Sequence, residues 1–161
     1  MFANRIKAFI GIESSAVDFN GRLDATNEML ETAEFILGAA HRYPNLGNLK
    51  VQELKKNDAI ELEYKTLLGL AMNQNIDGIA HVGATCKKYC TLFPLHLVRE
   101  IISLASHQGI AIELNPIYNS PLIPFLEICA EEDALITLGS NAHGYGDIGL
   151  VSKELNKLFK S

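Results

Sequence analysis

The chain has 161 residues, with 48% hydrophobic and 20% charged side chains, a composition typical of one soluble globular domain. Its net charge of -5, without any cluster of lysine and arginine, argues against a basic nucleic-acid-binding surface, and no apolar run reaches the ~18 residues of a membrane-spanning helix. Three cysteines and the lack of a recognisable signal peptide predict a cytoplasmic protein without a membrane partner.

The first part of the chain alternates strand, helix and strand. Residues 8–13 are apolar and end in the carboxylate of Glu13, which predicts a first strand. A polar loop follows, and residues 25–32 form a short candidate helix. Residues 33–41 predict a second apolar strand that ends in His41, because a proline follows shortly and could not continue a central strand.

The middle of the chain repeats this alternation. Apolar residues recur with helical spacing over residues 57–73, which predicts a helix. Residues 77–81 then predict a short third strand, and this strand also ends in a histidine, His81. Residues 94–108 predict an amphipathic helix that a proline opens and Gly109 closes, as is usual for helix termini.

The last part of the chain completes the pattern. Residues 110–114 and 134–138 predict the fourth and fifth strands, with helices over residues 122–132 and 151–159. Apolar strands that alternate with amphipathic helices indicate an α/β fold, in which parallel strands form a sheet covered by helices. We therefore expect a single domain over residues 1–161, with about five parallel strands.

Polar side chains suited to metal binding or catalysis occur at the ends of four predicted strands. In parallel sheets the carboxyl ends of the strands and the loops after them share one edge, where active sites collect. Asn141 and His143 are two residues apart, and side chains with this spacing project to the same face of an extended segment. Each histidine could instead pack or cap separately. The candidates are Glu13, His41, His81, Asn141 and His143.

Imidazoles and carboxylates that converge on one edge are ligands for Zn, Mn or Fe ions. Two-metal sites are typical of phosphate-ester hydrolysis, where an ion polarises a phosphoryl oxygen and lowers the pKa of its water to about 7. Arg42 follows His41 directly and is a candidate for a bidentate contact with a substrate phosphate. A solvated loop arginine is the alternative interpretation of Arg42.

The ordered set of motifs resembles the PHP (polymerase and histidinol phosphatase) family of metal-dependent phosphoesterases. The resemblance implies a partial (βα) barrel, with Glu13 as the metal-bridging carboxylate and His41 and His81 completing one metal site. It also implies that Asn141 and His143 complete further metal positions, for one to three divalent ions. The matching segments are Gly11-Ile12-Glu13, Gly38-Ala-Ala-His41-Arg42, Ile79-Ala-His81-Val-Gly83, Ile112-Glu-Leu-Asn115 and Gly139-Ser-Asn-Ala-His143.

Two departures from the family's pattern affect this expectation. The family opens with a His-x-His strand and a further histidine, and this sequence has neither, so we expect a domain truncated at its N-terminus relative to the family. The aspartate of the last motif is replaced by Asn141, which offers a metal ion only a neutral carbonyl oxygen. Both departures affect the same metal position, whereas the set Glu13, His41 and His81 is complete.

The residues and the resemblance therefore leave three functions open. The first is a PHP-type phosphoesterase that uses metal-activated water on a phosphomonoester or small phosphodiester, with Glu13, His41, His81 and His143 as the catalytic residues. The second is a catalytically impaired remnant or subunit with a structural or regulatory role, and an unrelated α/β binding module is a third reading. Because a five-stranded parallel sheet leaves two unpaired edges, we expect a homo-oligomer or a separate N-terminal fragment to cover them.

Overall fold

The computed structural model describes residues 7–44, 46, 50–89 and 92–158. All neighbouring strands in its sheet are parallel, and they follow one another in chain order. This order is that of a partial barrel, so the predicted α/β fold is confirmed. The strands are β1 (Gly11–Ser15), β2 (Phe35–Ala39), β3 (Gly78–Ile79), β4 (Ala111–Leu114) and β5 (Ile136–Leu138).

Helices connect the strands, as the sequence predicted. The helix after β5 covers most of residues 151–159, of which Phe159 lies outside the described residues. Within the part of the chain that the structure describes, none of the helices is long and apolar enough to cross a membrane. The α-helices are α1 (Asn27–Thr32), α2 (Lys56–Ala71), α3 (Ala84–Tyr89), α4 (Leu95–His107), α5 (Leu122–Glu131) and α6 (Leu150–Leu158), and short 3-10 turns lie at Val51–Glu53 and Tyr145–Asp147.

The start of the sheet differs from the prediction for residues 8–13. Strand β1 begins at Gly11 and continues through Ser15, so Glu13 lies in the middle of the strand rather than at its end. The strand continues because its two serines are satisfied by Asp24, whose Oδ1 accepts from the Ser14 hydroxyl at 2.7 Å and from the Ser15 N–H at 2.9 Å. Such local bonding allows polar residues to extend a buried strand.

Helix α3 is the one described α-helix that the sequence did not indicate. It has six residues, including two consecutive lysines, and it lacks the apolar stripe of a longer amphipathic helix. It begins three residues after His81, so it determines how the chain leaves the carboxyl end of β3.

The core lies between the sheet and the helices that cover it. Helix α4 buries Val98, Ile101, Ile102 and Ala105, which recur at the predicted spacing of three and four residues. Helices α2 and α4 pack against each other and against the sheet. Burying each large aliphatic side chain contributes about 1.5–3 kcal/mol, so this core fixes the strand positions on which the site depends.

The two edge strands leave apolar side chains exposed. Phe9 and Ile10 precede β1, and Ile136 and Leu138 belong to β5, with exposed fractions from 44% to 73%. Sheet edges with exposed apolar residues commonly serve as interfaces.

Candidate metal centre

The first three strands bring together Glu13, His41 and His81. His41 Nε2 lies 3.1 Å from Glu13 Oε1 and 2.9 Å from His81 Nε2. Among the described residues, these three form a group that could hold a metal ion, with one ligand atom from each within 4.8 Å of the others. Ligand atoms that each lie about 2.0–2.1 Å from one ion are separated by about 3.0–3.4 Å, so this spacing suits a shared cation.

His81 has an unusual backbone conformation that a buried carboxylate supports. Its φ of +27° is in the left-handed region, which is uncommon for residues other than glycine. The Glu113 Oε2 atom accepts from the His81 N–H at 2.8 Å and lies 2.9 Å from His81 Nδ1. Both side chains are 4% exposed. Glu113 thus fixes the backbone and the ring of His81 together.

The hydrogen bonds of the two rings leave their Nε2 atoms directed at each other. A carboxylate accepts, so His81 Nδ1 donates to Glu113, and in the neutral ring Nε2 then carries the lone pair. His41 Nδ1 lies 3.3 Å from the Ser15 hydroxyl. Metal-binding histidines are commonly held in this way, with the second ring nitrogen bonded to a carboxylate or another polar group. The hydrogen bonds of His41 and His81 therefore match the outer support that a metal site needs.

Burial favours the metal-binding form of His41. Desolvation lowers the pKa of this imidazole below its usual 6.5, the nearby carboxylate of Glu13 opposes the shift, and the neighbouring His81 and Lys88 side chains add to it. A neutral imidazole is the form that binds a metal ion, so the local environment keeps a ligand nitrogen available near pH 7.

The three residues line an open cavity of about 310 Å³. Asn141 and His143 line the same cavity, so the structure brings all five predicted metal-site residues to it. Lys88 and Tyr118 also line it, and the Tyr118 ring is tilted over His81 with 5.5 Å between ring centroids. A cavity of this size accommodates a small ligand.

The segment that carries Asn141 and His143 is not extended. Asn141 has a φ of +44°, so the prediction that Asn141 and His143 project to one face of an extended segment is wrong. His143 Nδ1 lies 2.8 Å from the backbone oxygen of Asn141, and Asp147 Oδ2 accepts from the His143 N–H at 3.1 Å. A carbonyl accepts, so Nδ1 is the donor and Nε2 keeps its lone pair in the neutral ring. The position of His143 is set by the turn and not by a strand.

Arg42 is exposed and lies outside the set of residues that line the cavity. Its charge acts instead on Asp24, since the pKa of this carboxyl is lowered first by the hydroxyl of Ser14, then by the N–H of Ser15 and then by Arg42. Lys88 is the cationic side chain that lines the cavity.

Two further residues shape the centre, although the sequence pattern predicted no role for them. Glu113 is buried in β4, and a charged residue inside a short apolar strand is a signal for a paired buried group. Gly139 leaves room for Glu113, because a Cβ at this position would lie 1.6 Å from Glu113 Oε1. The glycine of the last motif therefore makes space for the carboxylate that orients His81.

The loops around the centre are tied together by two buried asparagines. Asn115 Nδ2 donates to the carbonyl of Gly139 at 3.2 Å, and its N–H donates to Asn119 Oδ1 at 2.6 Å. Asn119 Nδ2 in turn donates to the carbonyl of Val82 at 3.2 Å. The turn after β4 thereby links the segments after β3 and β5, which limits their independent movement.

Comparison with known proteins gives two similar curated relatives, and no protein-family model matches the chain. Both relatives are named "Probable phosphatase". The protein from Caldicellulosiruptor bescii is 26% identical over 158 residues, which cover 91% of this chain and 57% of the relative. The protein from Acetivibrio thermocellus is 23% identical over 154 residues, covering 89% and 56%. The chain is thus similar to proteins named as probable phosphatases and spans just over half of their length.

Proposed function

We propose that this chain is a metal-dependent phosphoesterase of the PHP type that acts on a phosphomonoester or a small phosphodiester. The observation that carries the proposal is the convergence of ligand atoms from Glu13, His41 and His81 on one edge of the sheet. The similarity to two proteins named as probable phosphatases supports the choice of a phosphate ester as substrate.

In this proposal Glu13, His41 and His81 bind a divalent ion such as Zn, Mn or Fe. The bound ion would polarise a phosphoryl oxygen and make water a nucleophile at neutral pH. Glu113 holds His81 in place, while Asn141 and His143 face the same cavity and would bind a second ion or the phosphate. Hydrolysis of a generic phosphomonoester, measured before and after chelation and again after the metal is restored, tests the function.

We propose Lys88 as the residue that orients the substrate phosphate, with Arg42 as the second candidate. Lys88 lines the cavity, and its charge is close enough to contribute to the shift of the His41 pKa.

Lys88→Gln should weaken inhibition by inorganic phosphate by roughly ten-fold, with unchanged zinc content, because one charge-assisted contact is lost. Lys88→Arg should keep most of the affinity. Inhibition constants are compared with those of Lys153→Gln, on α6. A Lys88→Gln protein with the wild-type constant would exclude this role, and the same assay on Arg42→Gln tests the other candidate.

The alternative function is a catalytically impaired subunit with a structural or regulatory role. One observation favours it: Asn141 places an amide where the resemblance expects a carboxylate. Substantial metal binding without phosphoesterase activity would support this alternative.

Asn141→Asp is expected to tighten metal binding on the order of ten-fold, because a charged oxygen replaces a neutral one beside the cation. The dissociation constant for Mn or Zn, measured by competition with a chelating dye, checks this. Asn20→Asp, in an exposed turn away from the cavity, controls for the general effect of one added negative charge. Equal affinities for Asn141→Asp and the wild type would place residue 141 outside the metal coordination shell.

We propose that a second copy of the chain covers the apolar side chains at the edges of β1 and β5. The exposed Phe9, Ile10, Ile136 and Leu138 support this, since soluble monomers rarely leave such residues grouped at sheet edges. Size exclusion with light scattering should give the mass of a dimer or larger assembly, and Leu138→Lys should shift it towards the monomer. A wild-type monomer would contradict self-association.

A further inference from the structure

A buried carboxylate on α2 connects the two segments that carry the metal-site histidines. Glu63 is 1% exposed and accepts from three neutral donors. These are the hydroxyl of Tyr43 at 3.0 Å, the N–H of Thr85 at 3.2 Å and the N–H of Cys86 at 2.6 Å. Tyr43 belongs to the segment after β2, and the other two belong to the first turn of α3, after β3.

A second hydrogen bond joins the same two segments. The hydroxyl of Thr85 donates to the backbone oxygen of Ala40 at 2.6 Å, and Ala40 is the residue before His41. We refer to Glu63, Tyr43, Ala40, Thr85 and Cys86 as the Glu63 clamp. The clamp reaches from α2 to both segments: Ala40 lies one residue before His41, and Thr85 lies four residues after His81.

A buried carboxylate is an unfavourable way to fill a core. Removing such a group from water is costly unless hydrogen bonds compensate, whereas burial of an apolar side chain of similar size carries no such penalty for the side chain itself. What a leucine could not do is accept three hydrogen bonds that fix two separate segments relative to each other. The Glu63 clamp is therefore suited to setting a distance rather than to adding apolar contact.

We propose that Glu63 is a positioning residue of the metal centre, which sets the spacing between His41 and His81 through the two segments it bonds. The spacing in question is the 2.9 Å between the two Nε2 atoms. The inference rests on the proposed function only in that a metal ion would use this spacing. The positioning itself is a property of the metal-free protein and can be measured there.

The test replaces Glu63 with glutamine, which keeps the size but turns one accepting oxygen into a donor that faces other donors. Zinc affinity should fall by about ten-fold, the lower end of the range for groups that orient metal ligands. The His41 and His81 ring nitrogens should change their NMR chemical shifts in the metal-free protein. Tyr43→Phe, which removes one donor, should give smaller changes in the same direction. Glu61→Gln, at an exposed position on the same helix, is the matched control and should change neither.

The outcomes separate this inference from the proposed function. A merely structural role predicts a less stable Glu63→Gln protein with wild-type zinc affinity and wild-type imidazole shifts, and that result would overturn the proposal. If Glu63→Gln does not fold, Tyr43→Phe decides in the same two measurements. If the wild type binds no zinc but the imidazole shifts change as expected, the positioning role stands and the proposed metal-dependent function fails.

Discussion

Replacing Glu13 with alanine is expected to weaken zinc binding by more than about 100-fold, because even the groups that orient metal ligands are worth 10–100-fold. Glu13 supplies the carboxylate oxygen closest to His41 Nε2, at 3.1 Å, and without it the site would lose its only negative ligand among the three grouped residues. The Glu13 side chain is 32% exposed, so its truncation should leave the fold largely intact. Zinc affinity is measured by competition with a chelating dye.

His81→Ala should weaken zinc binding to a similar extent. It also removes a buried partner of Glu113, so this variant should be less stable than Glu13→Ala. Glu31→Ala and His107→Ala, at exposed positions on α1 and α4, are the matched controls and should bind zinc like the wild type. Unchanged zinc affinity in both Glu13→Ala and His81→Ala would mean that the metal site lies elsewhere.

Gly139→Ala is expected to weaken zinc binding by about 10–100-fold, although residue 139 is not a ligand. Its Cβ would lie 1.6 Å from Glu113 Oε1 and 2.4 Å from Cδ, so the carboxylate must move. Moving it breaks the bonds to the N–H and Nδ1 of His81, which hold that ring towards His41. Overpacking of this kind should also lower the free energy of unfolding by about 1–3 kcal/mol. Zinc titration and denaturant unfolding measure the two effects.

Gly146→Ala is the matched control for this substitution, because a Cβ there meets no atom within 4 Å. The double variant Gly139→Ala/Glu113→Ala should recover part of the lost stability, since the clash is gone, while zinc binding stays weak because His81 has lost its support. If Gly139→Ala binds zinc as tightly as Gly146→Ala does, Glu113 does not orient the metal centre through His81.

The sequence was sufficient for the architecture and for the proximity of His41 and His81. Alternating apolar and amphipathic segments specify a parallel sheet, and parallel strands place the ends of β2 and β3 side by side. His41 and His81 each follow their strand by two residues, so their proximity follows from topology alone. Strand order and the positions of strand ends can therefore be predicted without knowledge of individual side-chain conformations.

The sequence was not sufficient for the groups that act through long-range side-chain contacts. Glu113 is 32 residues away from its partner His81, and Gly139 is needed only because the Glu113 carboxylate occupies the space beside it. Neither fact can be read from local periodicity. The sequence predicted Arg42 as the phosphate-binding residue and did not indicate that Lys88 lines the cavity, because the direction of a side chain depends on loop and helix geometry after a strand end. The sequence also does not predict the left-handed conformation of Asn141.

X-ray absorption at the zinc edge of the loaded wild-type protein tests the central claim most directly. We expect scattering from at least two imidazoles, with Zn–N distances of about 2.0–2.1 Å, together with oxygen ligands at similar distances. Glu13→Ala should lower the zinc content of the protein, whereas Glu31→Ala should leave the spectrum unchanged. A spectrum without imidazole scattering, or one dominated by sulfur at about 2.3 Å, would contradict a metal centre built on Glu13, His41 and His81.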